Sequence, residues 1–206
     1  VQLRVLLSGL PKNMAKLSDL IISKVRVKLL KIFLSDSKNM FYVRELTRAT
    51  KEEINAVRRE LDHLQKAGLL KSEKRGNRLY YSVKTSFSLY PELSNLISKS
   101  TGLGKLILKN RSKLGFVKFA CISQKLARGL QRDPEEVDLL IIGKIIMPQV
   151  AILVKTAEKM LDTEINYSCM TEEEFSYRKN HQDPFIIKVL LQPRITLLGD
   201  EIQLLG

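Results

Sequence analysis

The chain has 206 residues, with 35 Lys or Arg against 22 Asp or Glu. The resulting formal net charge of +13 points to nucleic acid or an anionic membrane surface as partner and disfavours an acidic one. A hydrophobic fraction of 44% suffices for two cores, and the length exceeds the ~100–150 residues usual for one domain, so two domains are expected. Cys121 and Cys169 have no CxxC spacing and His63 and His181 are the only histidines, which excludes a disulfide scaffold and a His/Cys zinc site and fits a reducing cytoplasm with both thiols buried.

No uncharged apolar run approaches the ~18–20 residues of a bilayer span, so no membrane partner is expected; Asp138 and Lys144 flank the most apolar stretch, LLIIG. The charge excess is uneven. The first hundred residues hold 20 basic and 9 acidic groups, the rest 15 and 13, so the amino-terminal half carries the basic function. Residues 1–16 lack the small-residue cleavage pattern of a signal peptide and read as a strand-like or poorly ordered arm.

From Ser23 the segment SKVRVKLLKIFLSDSKN predicts a helix with Ile22, Val25, Leu29, Ile32 and Phe33 on one face and Lys24, Lys28 and Lys31 largely on the other. Met40, Phe41 and Tyr42 are extended. VRELTRA then forms a short helix with Leu46 and Ala49 inward. The next helix, 51–67, has the apolar stripe Ile54, Val57, Leu61 and Leu64, a capping box of Thr50 with Glu53, and Gly68 past its end. Its other side carries Lys51, Asn55, Arg58 and Arg59, the side-chain types that bind phosphate oxygens and purine acceptor edges. Two helices joined by so short a turn make a helix-turn-helix with the second free to enter a major groove.

After Gly68 the period changes to two. Leu69–Glu73 and Arg78–Val83 read as strands, closed by Gly76 and Asn77, which both tolerate positive φ. This basic hairpin, with Lys74, Arg75, Asn77 and Arg78 at its tip, is a wing. Asn55, Arg58 and Lys51 are assigned to base edges, and Arg59 and the four wing residues to phosphates.

Pro91 suits the first turn of a connector helix with an apolar stripe of Leu93, Leu96 and Ile97, candidates for a dimer interface; Gly102 and Gly104 interrupt it. A helix at 105–112, strands at 116–122 and 137–143, a helix at 147–161, a strand at 163–168, helices in TEEEFSYRKN and DPFIIKVLLQ, and a strand at 195–198 follow. Such alternation indicates a small α/β domain. The expected organisation is therefore α+β with an arm (1–16), a winged helix-turn-helix (17–86), a connector (87–103) and an α/β domain (104–206).

The stretches SKVRVKLLKIFL, FYVRELTRAT, INAVRRELDHLQKAGLL and RLYYSV, then LYPELSNLI, LARG, VDLLIIGK, TEEEF and PRITLLGD, resemble a known group. They are similar to archaeal and bacterial winged helix-turn-helix transcriptional regulators that carry a carboxy-terminal nucleotidyltransferase-like domain of the polymerase-beta type. The resemblance implies double-stranded DNA as partner, a homodimer reading a two-fold site, and a nucleotide as a further ligand to be tested. It also places the family's Gly-Ser at Gln124-Lys125, beside Arg128, and its Asp-x-Asp at Glu136-Val137-Asp138. Neither Gln nor Lys gives a triphosphate the access of glycine, and Glu is a methylene longer than Asp, so a non-catalytic domain with no metal and no cofactor is expected. The competing reading is an active nucleotidyltransferase that docks its substrate on the winged domain.

Overall fold

The computed structural model describes residues 21–206; the arm expected at residues 1–16 lies outside them. In chain order the first part comprises α1 (Lys24–Ser35), β1 (Phe41–Tyr42), α2 (Val43–Thr50), α3 (Ile54–Lys66), β2 (Leu70–Arg75) and β3 (Arg78–Val83). Ser23 caps α1, its hydroxyl accepting the Arg26 N–H at 3.2 Å. The helix buries Val27, Leu29, Leu30, Phe33 and Leu34, while Ile22 precedes it and is exposed, so the buried face is rotated from the expected one. In α3, Val57, Leu61 and Leu64 are buried at the predicted spacing, and they pack with Leu46, Leu70, Tyr81 and Val83 into one core.

The turn between α2 and α3 differs from expectation. Thr50 does not cap α3. It is the buried last residue of α2, its hydroxyl donating to the Leu46 carbonyl at 2.7 Å, and Ala49, expected inside, is exposed. Lys51 takes a left-handed conformation (φ 55°) outside either helix, and the Glu53 side chain caps α3 by accepting the Ala56 N–H at 3.0 Å. A Thr-x-x-Glu spacing fits a capping box, but the glutamate alone supplies the acceptor here. The Lys28 ammonium fixes the turn by donating to the Thr50 carbonyl at 2.8 Å and to Glu52 at 2.6 Å.

Strands β1, β3 and β2 lie in that order in an antiparallel sheet, with Phe41 opposite Tyr81 and Arg75 opposite Arg78. The two-residue turn has positive φ at Gly76 alone (56°); Asn77 turns without it. Helix, helix-turn-helix and antiparallel hairpin together have the arrangement of a winged helix.

The second part comprises α4 (Tyr90–Ser100), α5 (Gly102–Asn110), a 3₁₀ turn (Arg111–Lys113), β4 (Gly115–Ser123), α6 (Gln124–Ala127), β5 (Leu139–Ile145), α7 (Met147–Leu161), β6 (Tyr167–Met170), α8 (Glu172–Asn180), α9 (Pro184–Leu191), β7 (Arg194–Leu198) and α10 (Glu201–Leu205). The mixed sheet has the order β6-β5-β4-β7, with β5 and β6 parallel and joined by α7, and the other pairs antiparallel. The run LLII is apolar throughout because both sheet faces are covered. Leu139 and Ile141 meet residues of α5 and α7, whereas Leu140 and Ile142 meet Phe175, Ile186 and Leu204.

Helix α4 belongs to the first core, which it enters through Tyr90 and Ile97, while Leu103 and Ile107 of α5 belong to the second. Only Thr101 separates the two helices. Gly102 and Gly104 do not interrupt a helix but open α5. A Cβ on Gly104 would lie 2.2 Å from the Ser98 carbonyl oxygen, so glycine permits this close approach. Of the expected interface stripe, Leu93 and Ile97 pack within the chain and Leu96 is exposed.

Candidate nucleic-acid interface

The apolar stripe of α3 faces the first core, which turns Asn55, Arg58 and Arg59 to solvent; all three are exposed. The wing bends back beside this helix. Between them lies a groove of about 740 Å³ lined by Tyr42, Arg44, Arg48, Arg58, Asn77 and Arg78, among others. Four guanidinium groups from α2, α3 and the wing thus surround one concavity, and none has an ion-pair partner among the described residues. The Arg78 guanidinium lies 4.7 Å from the centroid of the Tyr42 ring, which meets Tyr80 edge-on at 5.6 Å. This stack fixes the wing arginine against β1.

Of the residues picked out from sequence, Arg58, Asn77 and Arg78 line the groove. Asn55, Arg59, Lys51, Lys74 and Arg75 are exposed without lining it, and Lys51 stands in the turn rather than on α3. Arg75 donates to Glu73 at 2.9 Å, so part of the wing's charge is neutralised within the strand. Sequence reasoning missed Arg44 and Arg48. Their four-residue spacing in VRELTRAT, on the side opposite Leu46, was the available signal.

Below α3 the cations are committed to structure. Arg26 donates to Glu60 at 2.7 Å, and the Ser23 hydroxyl donates to the same carboxylate at 2.7 Å. Partial burial raises the Glu60 pKa, but the bonds from Ser23 and Arg26 outweigh it and hold the carboxyl below its ordinary value. Glu53 is also lowered, by the backbone N–H groups of Asn55 and Ala56 that it accepts.

At the site which the resemblance assigns to a nucleotide, Ser123 caps α6, its hydroxyl accepting the Lys125 N–H at 3.1 Å. Lys125 is ion-paired with Glu136, and Gln124 reaches the Arg194 carbonyl at 3.5 Å. Asp138 is 1% exposed and ion-paired with Arg132, whose guanidinium also donates to the Thr163 hydroxyl at 2.6 Å and the Glu164 carbonyl at 3.0 Å. The Asn166 N–H donates to the same Asp138 oxygen at 3.0 Å. These bonds explain why residues 163–166 form a loop rather than the start of the strand expected from residue 163. Arg128 turns away from this site, donating to the Ser94 hydroxyl at 3.1 Å and lying 5.0 Å from the Tyr90 ring centroid.

Glu136 and Asp138 are therefore each paired with a cation of this chain, Lys125 and Arg132. The second Asp138 oxygen, Oδ1, is buried with no hydrogen-bond partner among the described residues. Among the described residues, no group of three or more His, Cys, Asp or Glu side chains could hold a metal ion, and no helix is long and apolar enough to cross a membrane.

No family model matches the chain, and no curated protein matches it. Among solved structures, reduced HlyU from Vibrio cholerae N16961 aligns at 19% identity over 46% of this chain and 81% of that chain, with a TM-score of 0.31, an overlap too loose to assign this chain to a family.

Proposed function

We propose that this chain is a DNA-binding transcriptional regulator. The winged helix together with α4, residues 21–100, forms its reading head, and residues 104–206 a non-catalytic nucleotidyltransferase-like module for sensing or dimerisation. The observation that carries this reading is the ring of Arg44, Arg48, Arg58 and Arg78 around the groove between α3 and the wing. Unpaired guanidinium groups from α2, α3 and an adjacent hairpin suit a duplex, whose major groove is about 12 Å wide and admits a helix. Arg58 and Asn55 on α3 address base edges; Arg44, Arg48, Arg59, Lys51, Lys74, Arg75 and Arg78 neutralise phosphates, and the Asn77 amide donates to one. One head covers a half-site, so a homodimer completes the operator, with the exposed Leu96 as a contact candidate.

The test is selection of bound sequences from a random duplex pool at two salt concentrations. A palindromic motif, with affinity falling as salt rises, is expected. Enrichment of no motif would remove the sequence-specific reading. The competing reading, an active nucleotidyltransferase, draws no support from the carboxylates, since Lys125 and Arg132 already balance them.

A further inference from the structure

A cavity of about 480 Å³ lies where the reading head meets the second core. One wall is Ser35, Asp36 and Asn39, at the end of α1; a second is Ser98 to Gly104, across the junction of α4 and α5; the third runs from Ile122 to Arg132. Its volume lies within the ~300–1,000 Å³ typical of small-molecule sites, which favour such junctions. We infer that this cavity binds an amphiphile with an aliphatic body and a hydrogen-bond-donating, non-anionic head, and that its occupancy is felt in the groove of the reading head.

The ligand class follows from what lines the space. Leu103, Ile122, Leu126, Leu130 and Leu161 supply an aliphatic surface that gains from covering apolar area. The cation there is committed, whereas the carboxylate of Asp36 has no ion-pair partner among the described residues. Arg132 serves Asp138, Thr163 and Glu164, and Asp36 accepts the Asn39 amide at 2.7 Å. An anionic head would lose its hydration without finding a free cation and would face the Asp36 carboxylate. The Ser98 and Thr101 hydroxyls spend their protons on the Ser94 and Ile97 carbonyls, at 2.7 and 2.8 Å, which leaves their oxygens as acceptors. A primary amide or an alcohol meets that need.

The coupling follows from chain continuity. Asn39, in the cavity wall, is two residues from Phe41 and three from Tyr42, which pair with Tyr81 and Tyr80 of the wing. Tyr42 also lines the groove and carries the Arg78 stack. A ligand that moves the 36–39 wall therefore moves β1 and the wing arginine with it. This coupling, unlike the binding itself, rests on the groove being the working surface.

The experiment titrates octanamide, with octanoate in parallel, into the full-length ¹⁵N-labelled chain without DNA and follows amide shifts. Saturable shifts with octanamide at Asn39, Ser98, Thr101 and Leu126, extending to Phe41, Tyr42 and Tyr80, are expected. Octanoate should give none. Two variants, Ala127→Phe to fill the cavity and Leu161→Arg to close its mouth, should abolish saturation; a folded amide spectrum in either is sufficient control. No saturable octanamide shift, shifts that survive in a folded variant, shifts that stop at the cavity wall, or equal response to octanoate would overturn the inference. Because DNA is absent, failure here leaves the regulator reading intact, and failure of operator selection leaves the ligand site intact.

Discussion

The Arg78 guanidinium sits 4.7 Å from the centre of the Tyr42 ring, so the residue that opens the helix-turn-helix also holds the wing's last cation in place. Tyr42→Leu should release that arginine at a cost of about 0.5–1 kcal/mol, the range for exposed cation–π pairs. Duplex affinity should fall a few-fold with an unchanged salt slope. Arg78→Ala should lower affinity and reduce the slope by about one unit. Fluorescence anisotropy across a salt series separates the two outcomes.

Arg58→Ala should relax sequence preference and cost about 1–3 kcal/mol on the selected site while affecting random duplex less. Arg44→Ala and Arg48→Ala should weaken all sequences alike. Equal losses on specific and random duplex for Arg58→Ala would move it to the phosphate-binding set.

Because Glu73 accepts the Arg75 guanidinium at 2.9 Å, Glu73→Gln should strengthen binding to any duplex and steepen the salt slope by up to about one unit. Arg75→Ala should weaken all sequences alike. Competition binding at two ionic strengths checks both.

Replacing Arg132 with Met strands the buried Asp138 carboxylate and should destabilise the chain by about 3–5 kcal/mol in urea unfolding. Adding Asp138→Asn to Arg132→Met should recover part of that loss. If Arg132→Met is instead neutral, the pair contributes nothing to the fold.

Glu60 adds a pH dependence with a definite sign. Its folded pKa lies below the ordinary 4.5, so its contribution is complete above that value and is lost as pH falls through the lower folded value. Glu60→Gln should remove this component from the acid limb of thermal stability below about pH 4.5, with little change in shape near neutrality. The thiols give a second check. Burial pushes Cys169 up to about 11 and Cys121 upward as well, so both should alkylate slowly at pH 8 in the native chain and rapidly in urea.

The amino-terminal elements were legible because α3 keeps a strict apolar period and the hairpin switches to a period of two; the start of α3, the buried face of α1 and the exposure of Ala49 were not. That start is decided by Lys28, 22 residues before the Thr50 carbonyl it grips, a relation no local motif contains. The groove was half legible. Arg58 and Arg78 stood out beside their motifs, whereas Arg44 and Arg48 acquire a role only once α2 is packed against the wing. Arg128 looked like a phosphate ligand by its position near Gln124, yet its partner Ser94 lies 34 residues earlier. Charge type was readable from sequence; charge pairing required the fold.

The single residue between α4 and α5 sets where the polypeptide tolerates cutting. A fragment that stops at residue 86 leaves behind Tyr90 and Ile97, both deep in the first core, and forfeits about 1.5–3 kcal/mol for the isoleucine alone. A fragment that runs to Ser100 keeps them and ends before Leu103 enters the second core. Thr101 is thus the scissile point for producing a self-sufficient amino-terminal piece.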